Sequence, residues 1–120
     1  MIEIREIIGV EGLHAFYNDT PEVLHIVLYD EDTEHSENCI YENLENLSES
    51  KLNGALVAVA DMTKPENEPL KDEREFYSFP SVEYTKDNKS YFRHLGHMSE
   101  YEFYEAIEDV EDGYYIPMEE

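Results

Sequence analysis

Apolar residues in this chain come in short periodic runs separated by turn residues, and their spacing predicts an alternation of strands and helices. Ile2, Ile4 and then Ile7-Ile8 read as a short first strand. Leu13, Phe16 and Tyr17 stand at helical spacing within Gly12 to Tyr17, and that helix stops at the turn cluster Asn18-Asp19-Thr20-Pro21. Val23 to Tyr29 is a near-continuous apolar run rich in β-branched and aromatic residues, the pattern of a strand buried on both faces. His25 interrupts the run and reads as a satisfied core or edge residue rather than a catalyst.

Ile40, Leu44 and Leu47 then repeat at i, i+4 and i+7, with Glu42 and Glu45 off the stripe, so an amphipathic helix is expected there. Asp32 or Thr33 can cap it, and Glu34 and Glu37 in its first turn complement the positive end of its dipole. Leu56 to Ala60 reads as a second buried strand, and a strand, helix, strand order implies parallel pairing. A charged segment from Lys64 leads into a short helix starting near Pro69 and running to about Glu75, since proline is tolerated at a helix's first position. Ser81–Thr85 and Ser90–Leu95 flank the polar turn Lys86-Asp87-Asn88-Lys89, in which Asn88 can take a positive φ, and read as an antiparallel hairpin. Ser99 and Glu102 form a capping-box pattern ahead of Phe103, Ala106, Ile107 and Val110 at i, i+3, i+4 and i+7, so a final amphipathic helix ends at Gly113.

Composition narrows the function classes. The chain has 120 residues, enough for one domain, with 30 Asp and Glu against 8 Lys and Arg and a formal net charge of -22. Ten Tyr and five Phe supply a core, and the periodic apolar runs argue against disorder despite the charge. A folded chain of this size exposes roughly 6,700 Å², so the mean charge density is about a third of that on duplex DNA. Direct nucleic-acid binding is repelled and a basic protein partner is steered in. The longest purely apolar run, Ala55 to Ala60, is far too short to span a bilayer, and no cationic leader precedes an apolar stretch. A cytoplasmic protein without membrane contact is expected. Cys39 is the single cysteine, so neither an internal disulfide nor a zinc site of several thiolates can form.

The order βα, βαβ, α, ββα, together with Phe76-Tyr77-Ser78-Phe79-Pro80-Ser81, resembles the thioredoxin-like superfamily. In that family the corresponding segment has the form Val-Arg-Ser-Ile-Pro-Thr with a cis proline bond, and Gly96 falls on the family's glycine before the last helix. The resemblance implies an α/β thioredoxin-like fold over residues 1–112, a central mixed sheet of about five strands flanked by about four helices, and a tail over 113–120. The same register sets Tyr29 at the aromatic that ends the central strand and Leu28 at the family's buried acid. Glu34-His35-Ser36-Glu37 falls where thioredoxins carry Cys-Gly-Pro-Cys. Both redox cysteines are missing, and Cys39 sits two residues past the second position. Dithiol exchange needs a low-pKa thiolate and a resolving partner, so the expectation is a protein that is not an oxidoreductase.

No other catalytic pattern replaces that chemistry. The sequence lacks a phosphate loop, a nucleophile elbow and a His-Glu-Xaa-Xaa-His motif. Asp30-Glu31-Asp32 does not begin a calcium loop, because His35 stands where the glycine belongs and Tyr41 where the last glutamate belongs. No cofactor or metal is implied. The expected function is a redox-inactive protein-binding module, an adaptor, chaperone-like subunit or virus-encoded modulator with a strongly acidic surface. Its partner face would use Glu34, His35, Glu37, Phe79, Pro80 and His97, because the family grips extended substrates there through backbone contacts. Tyr114 and Tyr115, in an apolar tail too short for a core of its own, either fold back over the sheet edge or act as an aromatic anchor. The alternative is an acidic, nucleic-acid-mimicking inhibitor of a basic, nucleic-acid-binding protein, which requires carboxylates gathered on one face.

Overall fold

The structure is a computed structural model that describes residues 2–31 and 40–115. The elements follow in the order β1 (Ile4–Glu6), α1 (Gly9–Asp19), β2 (His25–Asp30), α2 (Ile40–Glu45), β3 (Leu56–Asp61), α3 (Leu70–Arg74), β4 (Ser81–Lys86), β5 (Lys89–Leu95) and α4 (Glu100–Glu111). Single 3-10 turns occur at Glu49–Lys51 and Pro65–Asn67. The strands form one mixed sheet in the order β1-β3-β2-β4-β5. β3 pairs parallel with both β1 and β2, whereas β4 pairs antiparallel with β2 and with β5. This is the α/β architecture expected from the order of elements.

Alternation along β2 and β3 divides the core into two layers, because successive side chains in a strand point to opposite faces. Ile26, Leu28, Val57, Val59, Val82 and Tyr84 pack with Ile40 and Leu44 of α2 and Phe103 and Ile107 of α4. Val27, Tyr29, Ala58 and Ala60 pack with Leu13, Phe16 and Tyr17 of α1 and with Leu70 and Phe76. All six residues of β2 are buried, as the unbroken apolar run predicts. Two left-handed residues, Asp87 (φ 52) and Asn88 (φ 62), close the β4–β5 hairpin. Ser99 accepts from the Glu102 amide and the Glu102 carboxylate accepts from the Ser99 amide, so the predicted capping box begins α4.

Several boundaries differ from the sequence expectation, and one buried side chain accounts for the largest difference. α1 begins at Gly9 rather than Gly12 and extends to Asp19. Asn67 is fully buried; its Oδ1 accepts from the Gly9 amide at 2.7 Å and its Nδ2 donates to the carbonyls of Ile7 (3.1 Å) and Asp61 (2.9 Å). A residue 58 positions away in sequence thus caps the first turn of α1 and ties it to the end of β3. β1 is also shorter than the Ile2–Ile8 pattern suggests. The helix expected around Ile40 is described from Ile40; its expected first turn, with Glu34 and Glu37, lies outside the described residues, as do His35 and Cys39.

His25 belongs to the core, 1% exposed, with its ring edge-on to Phe16 at 4.8 Å and Tyr17 at 5.6 Å. Its Nδ1–H donates to the Val23 carbonyl at 2.9 Å. Burial lowers its pKa below 6.5, outweighing the carbonyls of Val23 and Phe16, which favour the charged ring. A depressed folded-state pKa means that the unfolded chain binds the proton first as pH falls. Folding stability is therefore expected to decline as pH drops below 6.5, and His25→Phe should flatten that part of the profile. Urea midpoints for both proteins between pH 7.5 and about 5 measure this, and identical slopes would remove His25 as the cause.

Candidate functional site

The segment between α3 and β4 forms a loop at one end of the sheet. α3 terminates at Glu75, which takes the left-handed conformation (φ 58) usually given to glycine, and the Phe76 amide donates back to the Lys71 carbonyl at 3.0 Å. The Phe79–Pro80 bond is cis, as the resemblance implies. The Ser81 hydroxyl donates to the Ser78 carbonyl at 2.6 Å, and the Gly96 amide donates to the Pro80 carbonyl at 2.8 Å. These bonds fasten the proline loop to the end of β5, where Leu95 stands opposite Ser81. Tyr77 and Leu95 are 68% and 65% exposed, so two large apolar side chains face solvent beside Pro80.

The same end of the sheet receives residues from the other layer. Asn43 of α2 donates through Nδ2 to the Met98 carbonyl at 2.9 Å and lies 3.4 Å from His97 Nε2. His94 Nε2 donates to the His97 carbonyl at 2.8 Å. Of the residues expected at the partner face, Phe79, Pro80 and His97 thus come together around Gly96. Glu34, His35 and Glu37 lie outside the described residues. The tail behaves differently: Tyr115 packs its ring 4.9 Å from Phe92 against the α2/α4 layer, while Tyr114 is 76% exposed.

Behind the loop lies a cluster that the sequence reading did not single out. Glu83, on β4, has a fully buried side chain in the α1/α3 layer. Arg74, the last residue of α3, donates Nε to its Oε1 at 2.9 Å and an Nη to its Oε2 at 2.7 Å. Arg93, directly across the hairpin, donates Nε to Oε2 at 2.9 Å. The hydroxyls of Tyr17 and Tyr29 donate to Oε1 at 3.3 and 3.5 Å. A buried carboxylate is tolerated only with such partners, since its desolvation otherwise costs several kcal/mol. The guanidinium of Arg93 also lies 4.7 Å over the Phe76 ring, a cation–π contact that faces the loop.

The electrostatics of the cluster follow from its burial. Burial, reinforced by the Glu83 charge, raises the Tyr17 pKa to about 12 and pushes Tyr29 well above the ordinary tyrosine value. Burial opposes the charge on Arg74, but the hydrogen bonds and charge of Glu83 outweigh it and hold the guanidinium protonated. The signal available in the sequence was the scarcity of cations. The chain has three arginines, and two of them converge on this one carboxylate.

Exposed carboxylates stand on both layers, with Glu11 and Asp19 on α1, Asp72, Glu73 and Glu75 at α3, and Glu102, Glu105, Glu108 and Glu111 on α4. Among the described residues, no group of three or more His, Cys, Asp or Glu is placed to hold a metal ion. No helix among them is long and apolar enough to cross a membrane.

No protein-family model matches the chain, and no curated protein sequence does either. Solved structures do. Thioredoxin from Fasciola hepatica superimposes with a TM-score of 0.73 at 20% identity, covering 88% of this chain and 97% of its own. Chloroplastic thioredoxin z gives 0.73 at 18% identity, over 94% of this chain and 98% of its own. Oxidised thioredoxin from Plasmodium falciparum gives 0.71 at 15% identity, over 90% and 98%. The chain therefore has the thioredoxin-like fold, in a version whose single cysteine leaves no dithiol within the chain.

Removing Glu83 leaves two guanidiniums facing a dry site, so Glu83→Ala is expected to destabilise the fold by about 3–5 kcal/mol in urea denaturation. Replacing the whole group with apolar side chains (Glu83→Leu, Arg74→Met, Arg93→Leu) should recover most of that loss. A cost for Glu83→Ala below about 1 kcal/mol, the scale of an exposed ion pair, would contradict the assignment.

Proposed function

We propose that this chain is a redox-inactive thioredoxin-like module that binds another protein at the proline-loop end of its sheet. The single observation that carries the reading is the retention of the proline loop, fastened to Gly96 and flanked by exposed Tyr77 and Leu95, in a chain with one cysteine. In thioredoxins this end of the sheet grips extended substrates through backbone contacts, and such contacts depend on the loop rather than on the thiols. Pro80, Phe79 and His97 form one side of the face. Glu34, His35 and Glu37, outside the described residues, enter the proposal only through their sequence register with the redox motif. With a net charge of -22, the protein attracts basic partners at long range and leaves close recognition to the apolar side chains. An adaptor, chaperone-like or modulatory role fits this division of labour.

The rival reading, a nucleic-acid-mimicking decoy, requires its carboxylates on one side. Exposed acids on α1 and α3 as well as α4 favour the binding module.

A photoreactive side chain at position 95 or 77 tests the reading, with position 11 on α1 as control, in lysate of the native host at roughly half-molar salt, where screening shortens to about 4 Å. A discrete adduct at 95 and 77 that is absent at 11 is expected. Equal labelling at all three positions, or labelling only at low salt, contradicts a shaped face and favours charge alone. In an insulin precipitation assay, the wild type and Cys39→Ser are both expected to stay at the uncatalysed rate, and reduction above it would overturn the redox-inactive assignment.

A further inference from the structure

We propose that Glu83 is the positioning residue of the proline loop, an ionic strut that holds the loop in register with the sheet. Its place in the chain suggests this. Arg74 is the last residue of α3, immediately before the loop, and Glu83 is the third residue of β4, immediately after it. The two-pronged Arg74–Glu83 contact therefore closes residues 75–82 into a ring across nine positions of sequence. Paired guanidinium–carboxylate bonds of this kind fix direction as well as distance.

The strut is braced from three further directions. Arg93 ties the carboxylate to β5, Tyr29 to the end of the central strand and Tyr17 to α1. Arg93 in turn lies over Phe76 and Phe76 packs 5.0 Å from Tyr29, so the first loop residue is clasped between the cation and the core. The loop's other fastenings are the Phe76 amide to Lys71, the Tyr77 hydroxyl to Asp72 at the surface, the Ser81 hydroxyl to Ser78, the Gly96 amide to Pro80 and the Lys71 ammonium 6.0 Å over the Phe79 ring, none of which reaches the sheet's core. Tyr77 and Ser78 are exposed, so packing alone does not hold the loop's middle. A hub that grips both flanks of the loop fixes where Phe79 and Pro80 stand. The functional meaning of this strut rests on the reading of the loop as a partner face, but its mechanical action is measurable without any partner.

The test is native-state amide hydrogen exchange on the full chain, comparing wild type with Glu83→Gln and with Arg74→Gln. Two amides report on the loop, Phe76 bonded to the Lys71 carbonyl and Gly96 bonded to the Pro80 carbonyl. Two report on the rest of the sheet, Ile7 bonded to the Val59 carbonyl and Leu56 bonded to the Leu24 carbonyl. Positioning predicts that the loop amides exchange about tenfold or more faster relative to the sheet amides, the scale of losing one charge-assisted hydrogen bond. If all four amides accelerate by the same factor, Glu83 contributes only to global stability and the proposal is overturned; no acceleration at the loop overturns it equally. Arg74→Gln removes the two-pronged contact and leaves Glu83 its bonds to Arg93, Tyr17 and Tyr29, so it decides the question even if Glu83→Gln does not fold. A loop that loosens as expected, in a protein whose photoreactive variants capture nothing at positions 77 and 95, would keep the strut and discard the partner face.

Discussion

A carboxylate placed in a dry core must find cations or be neutralised, and this requirement organises the α1/α3 layer of the molecule. Glu83 meets it with Arg74, Arg93 and two tyrosine hydroxyls drawn from four other elements. α3 ends where Arg74 can reach Oε1 and Oε2, Arg93 sits across the hairpin at the matching register, and Phe76 folds beneath its guanidinium. Apolar replacements of buried ion clusters are often as stable as the originals, so the cluster's distinctive contribution lies in direction. A fork of hydrogen bonds sets the geometry of the adjoining loop more narrowly than interchangeable methyl groups do.

The fold solves a second electrostatic problem, that of compacting a chain with a net charge of -22. The apolar material is gathered into two layers on a five-stranded sheet, and exposed carboxylates are spread over helices on both sides. Spreading lowers self-repulsion relative to a single acidic face. α4 shows the cost: it carries no basic residue in its last turn, where cations would complement the dipole. Its capping box and its buried stripe of Phe103, Ala106, Ile107 and Val110 offset that repulsion. Of the large hydrophobic side chains exposed among the described residues, which include Ile8, Tyr101 and Tyr114, Tyr77 and Leu95 are the two beside the proline loop.

Local signals made much of this legible in the sequence. The Ser99/Glu102 capping box, the apolar run into Tyr29 and the Asp87-Asn88 turn each encode structure within a few residues, and each formed as read. The position of Phe79 and Pro80 in a loop ahead of the hairpin was legible because that loop resembles a known segment, and that of His97 because it follows the glycine after β5. What escaped depends on contacts between distant parts of the chain. Asn67 caps α1 across 58 positions, and Tyr17 reaches Glu83 across 66. In Ser81-Val82-Glu83-Tyr84-Thr85, period-two alternation groups Glu83 with Ser81 and Thr85 as one polar face. Nothing local reveals that α1 and α3 cover that face. The tail could be read two ways, and Tyr115 is found against Phe92, a residue whose orientation depends on the hairpin register.

The proposed recognition of extended protein segments at the proline-loop end of the sheet needs no redox chemistry. The most direct measurement is a selection of displayed random peptides against the intact protein at roughly half-molar salt, followed by amide chemical-shift mapping of the tightest binders. Peptides that combine apolar and basic residues are expected, with shifts concentrated at residues 76–81 and 95–98 and binding lost in Leu95→Glu. Binders that shift only the acidic outer face of α4, or the absence of any binder that survives the salt, would contradict the proposal.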